Sequence, residues 1–468
     1  LIRVRSSRHA PLGALLSVLG SVGLGHAQPA EPTAPAPGAA PSVAPVATPP
    51  DPGSSPTDAA GLMGELEGPA LETSEQMVSA DQRLSGLSLY GFADFGFYKY
   101  FLPPGHLFGA QVYEDPSFYV GNLNTYLAGE LGGGWRSLAE IRFTYLPNGS
   151  RTFSAAGIER VGTTAQDYTN LGRARSTGSV FIERAWIEYS VSLPINLRAG
   201  SWLTPYGIWN EDHGSPTIIP VTRPYVIGLE FLPERQTGLV LYGSFYASEA
   251  VTLGYHVGFS NGRGPVADYA DMDDNKAVTL RLQFHHHGAG DLDLGAAAYA
   301  GRYSDLSQRV VADGASLALA DDVRERFDEF SWALDARYVR GGLHLQAEFI
   351  MNEKAYTEGG RPIRSGSEFQ PDDRRYGGYV VAGYRFDWLG LMPYVTSEYF
   401  SLKNVFDLTR PPDRVVAKHF GLGFNSRPTN NVTLKLEGHL AIFDIARPEG
   451  SVFEDPLFDL QGQIAWAF

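Results

Sequence analysis

The chain of 468 residues contains no cysteine. That excludes disulfides, thiolate nucleophiles, zinc–thiolate sites and iron–sulfur clusters together. No stretch reaches about 18 consecutive apolar residues, so no transmembrane helix is expected in the mature chain. Charge is sparse, at 19% of residues, and 37 basic against 52 acidic side chains leave a net charge of -15. Nucleic-acid binding therefore lacks its electrostatic footprint, and no nucleic-acid partner is expected. Glycine (53), phenylalanine (26) and tyrosine (24) are abundant, and mean hydropathy is -0.16. Such a mixture suits strands with one apolar and one wet face.

Residues 1–27 have the layout of a secretory signal peptide. Arg3, Arg5 and Arg8 precede a short apolar core from Ala14 to Leu24, and Gly25-His26-Ala27 supplies small residues for cleavage. Residues 28–86 are expected to form a periplasmic linker. Its Pro/Ala-rich first half cannot bury a core and should be disordered. Its acidic second half, with Glu65, Glu67, Glu72, Glu75 and Asp81, is partly helical at most.

From Leu87 onward the pattern is strict alternation, the mark of a half-buried strand. Trp135 to Tyr145 sets Ala139, Ile141 and Phe143 against Arg136, Glu140 and Arg142. Val432 to Ile442 sets Leu434, Leu436 and Leu440 against Thr433, Lys435, Glu437 and His439. Tight connections, such as Gly132-Gly133-Gly134, Leu193-Pro194, Gly341-Gly342 and a His285-His286-His287-Gly288 turn, alternate with long polar loops. The long loops fall near 103–117, 148–178, 204–234, 261–275, 304–326, 354–375, 403–414 and 445–456. This rhythm predicts an all-β, transmembrane antiparallel β-barrel of about 16 strands over residues 87–468, closed so that every backbone group is paired. Aromatics near the strand ends, among them Phe97, Tyr145, Tyr189, Tyr384, Trp388, Trp466 and Phe468, suit the two membrane interfaces.

The last strand places Ile464, Trp466 and Phe468 on its lipid face. A terminal outward aromatic resembles the assembly signal read by the barrel-assembly machinery of diderm bacteria, with Trp466 and Phe468 as its candidate residues. The expected address is the cell outer membrane, with outer-membrane lipids and lipopolysaccharide as surroundings.

Three stretches resemble the phosphate-selective porin O and P family. They are Arg198-Ala-Gly-Ser-Trp-Leu-Thr-Pro-Tyr-Gly-Ile-Trp209, Pro233-Glu-Arg-Gln-Thr-Gly-Leu-Val-Leu-Tyr-Gly243 after Thr222-Arg223-Pro224, and Gly254-Tyr-His-Val-Gly-Phe-Ser-Asn-Gly-Arg-Gly264. The resemblance implies a homotrimeric porin for passive diffusion of small hydrophilic solutes or anions, with a third long loop folded inward. That loop is 204–234, and its constriction candidates are Trp209, Glu211, Asp212, His213 and Arg223. Its apolar run Ile218-Ile219-Pro220-Val221 is unusual for a loop lying in water.

Pore-lining candidates on inward positions are Arg136, Arg142, Arg184, Arg198, Arg281, Arg337, Arg385 and Lys435, interleaved with Glu140 and Glu188. Further inward acids are Glu130, Asp293, Asp335, Glu348, Asp387, Glu398 and Glu437. A basic wall on the third to fifth strands would favour anions, phosphate-like ones included, whereas pairing with Glu140 and Glu188 would make it scaffolding. The rival from another class is an outer-membrane barrel enzyme, of protease or lipase type, with a rim active site. No nucleophile–base constellation is recognisable and Gly-x-Ser-x-Gly is absent, so no enzyme, catalytic residue or cofactor is expected. His285-His286-His287 has the residue type to hold a metal, but at a short turn the favoured reading is a solvated polar tip, and no metal site is expected.

Overall fold

The structure is a computed structural model describing residues 86–103, 115–144, 151–154, 157–160, 179–264, 271, 273–313, 316–361, 372–404, 413–446 and 452–468. The expected signal peptide (1–27), the expected linker up to residue 85, and Tyr145 lie outside the described residues.

Sixteen antiparallel strands close into one barrel. In chain order they are β1 Leu87–Phe101, β2 Ser117–Gly132, β3 Trp135–Thr144, β4 Ser179–Ser192, β5 Ile195–Leu203, β6 Arg235–Ser248, β7 Val251–Ser260 and β8 Ala277–His287. They continue as β9 Asp291–Asp313, β10 Ser316–Arg340, β11 Leu343–Tyr356, β12 Asp373–Tyr384, β13 Met392–Asn404, β14 Asp413–Thr429, β15 Val432–Ala446 and β16 Val452–Ala467. Each strand pairs with its chain neighbours, and β1 pairs with β16 in the register Phe95↔Ile464. No sheet edge is left, the condition for a strand-built membrane span. A small hairpin, Arg151–Ser154 with Gly157–Arg160, sits in the β3–β4 connection.

The alternation written in the sequence is the one the barrel uses. Leu197, Leu239, Leu241, Val257, Leu280, Leu334, Val380, Leu422 and Leu436 are exposed on the outer face. Their chain neighbours point inward and are largely buried. The rim on the short-turn side carries aromatics: Trp135 and Tyr189 lie 4.8 Å apart, Tyr384 and Phe386 5.0 Å apart, and Trp388 is exposed. Trp466 and Phe468 are exposed on the same outer face, and Phe468 exchanges two 2.9 Å backbone hydrogen bonds with Gly91 across the closing seam. The tight β2–β3 turn uses Gly132, Gly133 and Gly134, all at positive φ, where side chains are disfavoured.

The expected loop at 304–326 is a correction. β9 and β10 pair through it, down to Asp313↔Ser316, as a hairpin longer than any other in the barrel. No proline or glycine interrupts 302–313 or 316–340, and Asp313-Gly314 offers the one short turn signal between them. Polarity alone was a poor marker of a loop here, because a strand can be polar on both faces once it leaves the membrane.

Candidate functional site

The connection between β5 and β6, residues 204–234, runs inside the barrel. Its base is closed by Thr204 N–H donating to the Glu234 carbonyl at 2.9 Å, and Asn210 Nδ2 donates to both of those residues' carbonyls. From there it crosses the lumen and is fastened to the far wall by inward carboxylates on alternate strands. Glu348 on β11 accepts the Ile208 and Trp209 N–H groups, each at 2.8 Å. Glu398 on β13 accepts the Val226 N–H at 2.8 Å, at the start of the one-turn helix α1 (Tyr225–Gly228). Glu437 on β15 accepts the Val221 and Thr222 N–H groups. Donors complete the attachment: Lys435 Nζ to the Pro220 carbonyl at 3.0 Å, Arg427 to the Pro216 and Thr217 carbonyls, and Asn425 to the Ile219 carbonyl.

Apolar packing holds the same loop. Val226, Ile227, Phe231 and Leu232 are fully buried, against Ile350, Val381, Phe400, Val415 and Phe443 of the far wall. Small inward residues, Ala277, Ala297, Ala333, Ala417 and Ala441, make room for them. Burial of each such side chain is worth about 1.5–3 kcal/mol, so the loop is a fixed part of the interior. Gly207 has φ +64, and a Cβ there would strike the Glu348 carboxylate, which accounts for the Tyr206-Gly207 step in this position.

The near wall stays open. A space of about 130 Å³ lies between Ile208, Glu211 and Asp212 of the loop and Arg184, Arg198, Arg281 and Arg337 of the wall. A second space of about 250 Å³ shares Ile208, Asp212, His285, Asp293 and Arg337 with it and continues toward the short turns, past His344, Arg385 and Arg427. The wall arginines are held by carboxylates. Arg184 Nε lies 2.7 Å from Glu140, Arg281 3.0 Å from Asp335 and 3.4 Å from Glu211, and Arg337 2.8 Å from Asp293. Glu188 is clamped by Arg136, by Arg198 Nε at 2.9 Å and by the Tyr242 hydroxyl at 2.5 Å. Arg198 also stacks on Trp186, 4.1 Å from its ring centre. Burial pushes the Glu211 carboxyl up to about 7; Arg281 opposes that rise, and Asp335 and Asp212 add to it.

The remaining candidates divide. Arg142 pairs with Glu183 at 3.3 Å and donates to Asn122. Glu183 itself points inward because the β3–β4 pairing shifts register between Glu140 and Ile141, a bulge that strict alternation does not anticipate. His213 lies 3.7 Å from Glu183, and Arg223 lies 3.5 Å from Glu234 at the loop base. Trp209 is buried, and Lys435 is committed to the loop, so neither sits on the charged wall of the open space. β12 stops at Tyr384, so Arg385 and Asp387 fall in the β12–β13 connection, where Leu389 and Gly390 take positive φ; Arg385 still lines the second space, whereas Asp387, read as an inward strand position, is a correction. Arg385 donates to the Gly390 carbonyl at 2.8 Å. The histidine triplet is a further correction. It is the end of β8, with His285 buried inside the barrel, and the turn begins at Gly288.

No family model matches the chain. An uncharacterised protein of Aquifex aeolicus is 36% identical over 69 residues, so the chain spans only 16% of the length of this curated relative. Among solved structures, OprB of Pseudomonas putida is similar at 12% identity and TM-score 0.49, over 82% of this chain and 94% of that one. The anion-selective porin from Comamonas acidovorans is similar at 13% identity and TM-score 0.47, over 82% and 99%. The outer membrane channel DcaP of Acinetobacter baumannii is similar at 11% identity and TM-score 0.46, over 82% and 97%. Each is a likeness of chain path, and no residue's role follows from it.

Proposed function

We propose that this barrel is an outer-membrane porin, a passive path for small hydrophilic solutes, narrowed by loop 204–234. The observation that carries the reading is the division of the lumen. The loop fills the far side, and a polar space of about 130 Å³ remains between Glu211 and Asp212 on one hand and Arg184, Arg198, Arg281 and Arg337 on the other. Opposed charges across a narrow, poorly screened gap orient dipolar solutes and select by size. Four arginines face four carboxylates there, counting Asp293 and Asp335, so the passage itself is nearly balanced. A preference for anions is supported nearer the short turns, where Arg385 and Arg427 donate to backbone carbonyls and form no carboxylate pair among the described residues. Phosphate-like solutes belong to this reading as one class of such anions.

The outer band of leucines, valines and phenylalanines supports a lipid surrounding, and the exposed Trp466 and Phe468 beside the closing seam are the residues we assign to assembly. A homotrimer is the expected state, checked by light scattering in detergent. The function is tested with Asp212→Cys in this cysteine-free chain. Purified protein in planar bilayers should give ohmic single channels, and a thiol reagent carrying a bulky charged group should reduce the current through the variant only. Absence of channels, or a variant insensitive to the reagent, would overturn the reading.

A further inference from the structure

At the short-turn end of the passage, β8 and β9 carry a paired His-x-His and Asp-x-Asp. His285 faces Asp293 and His287 faces Asp291 in the strand register. With period two, all four point into the barrel, while His286 takes the opposite face. Each imidazole has its Nδ1 on a carboxylate: His285 on Asp293, and His287 on Asp291 at 2.6 Å. Those contacts fix the N–H on Nδ1 and leave the lone pair on Nε2, the tautomer that a metal ligand needs. The two Nε2 atoms then face each other at 2.7 Å, with the rings edge to face. Two lone pairs at that distance repel, and a cation between them relieves it.

We propose that His285 and His287 bind a divalent transition metal through their Nε2 atoms, with Asp293 and Asp291 orienting the two rings and water completing the coordination. Imidazole donors suit zinc, nickel or copper(II), whereas calcium and magnesium prefer oxygen cages. Metal–nitrogen bonds of about 2.0–2.1 Å need the nitrogens to part only slightly. Donor atoms of His285, His287 and Asp291 all lie within 4.8 Å of one another. Asp293 is shared with Arg337, whose Nε is 2.8 Å away, and is thereby kept as an orienting group. The site borders the 250 Å³ space, and the His287 side chain is 41% exposed, so an ion can enter from the mouth. Two ligands on one rigid strand make a moderate, exchangeable site. Its occupancy adds positive charge beside Asp291 and Asp293 in the path of permeating ions.

The test uses the full chain without a polyhistidine tag, titrated with Zn²⁺ or Ni²⁺ by calorimetry. One saturable site per chain is expected. His285→Ala and His287→Ala should each weaken it at least about tenfold, Asp293→Asn by a similar factor, and His286→Ala should leave it unchanged. Zn²⁺ on the short-turn side should shift the reversal potential toward anions in the wild type and not in His287→Ala. That variant alters the more exposed histidine and keeps the test open if His285→Ala does not fold. The proposal is overturned by absence of saturable binding. Binding of undiminished affinity in His287→Ala, or loss of binding in His286→Ala, overturns it equally.

Discussion

The two sides of the lumen are built from the same alternating strands, yet they do opposite things with their inward carboxylates. On the near wall, Glu140 and Glu188 are bound by arginine side chains, and the passage beside them stays open. On the far wall, Glu348, Glu398 and Glu437 are bound by backbone N–H groups of the inserted loop, and that half is filled. The difference lies in the company each carboxylate keeps. Small and apolar inward neighbours, such as Ala417, Ala441, Val415 and Phe443, accept a buried chain, and a buried chain brings backbone donors that must be satisfied. Arginines and aromatics as neighbours, such as Arg198, Tyr242 and Trp186, satisfy the carboxylate from within the wall and repel an apolar loop.

Removing the far-wall anchors should have the largest effect. The triple variant Glu348→Gln, Glu398→Gln, Glu437→Gln gives up charged hydrogen bonds worth about 1.5–3 kcal/mol each. Single-channel records should show higher and noisier conductance, and the heat-modifiable transition on electrophoresis should move to lower temperature. Quiet channels of unchanged conductance would mean that packing alone holds the loop.

Next comes the near wall. Glu188→Ala removes one carboxylate shared by Arg136, Arg198 and the Tyr242 hydroxyl. Breaking a buried pair costs about 3–5 kcal/mol, and the partly exposed Arg136 places this case toward the lower end. Stability should fall while conductance holds, the reverse of the far-wall result, and reversal potentials should move toward anions. Equal effects of the two variants on conductance would erase the contrast between the walls.

The smallest expected effect is on pH. Glu211 has its carboxyl raised to about 7, chiefly by burial. Above that pH it is charged and opposes Arg281; below it the group is neutral and the arginine's field is left less compensated. Anion permeability should therefore rise as pH falls from 8 to 6, and Glu211→Gln should show the low-pH behaviour throughout. A flat profile in the wild type would place Glu211 outside the ion path.

Much of this was legible in the sequence. The period-two pattern identified the barrel, its strand number and the inward positions of Arg184, Arg198, Arg281 and Arg337, because a residue's face follows directly from its parity. The length and apolar content of 204–234 singled out the loop. Three things were not legible. Parity fails at a bulge, which hid Glu183. Polarity marks loops only inside the membrane, which hid the long β9–β10 hairpin. And parity says which way a carboxylate points without saying what meets it, so Glu348, Glu398 and Glu437 read as pore charges when they are anchors for a chain segment more than a hundred residues away.

The most direct measurement of the central claim is single-channel conductance after deletion of residues 215–226 from loop 204–234. That segment spans the lumen between Asp94, which accepts from Ser215, and Glu398, which accepts from Val226. If the loop narrows the passage, folded deletion channels conduct more than the wild type and admit larger neutral solutes in swelling assays. Folded deletion channels with wild-type conductance and the same size cut-off would contradict it.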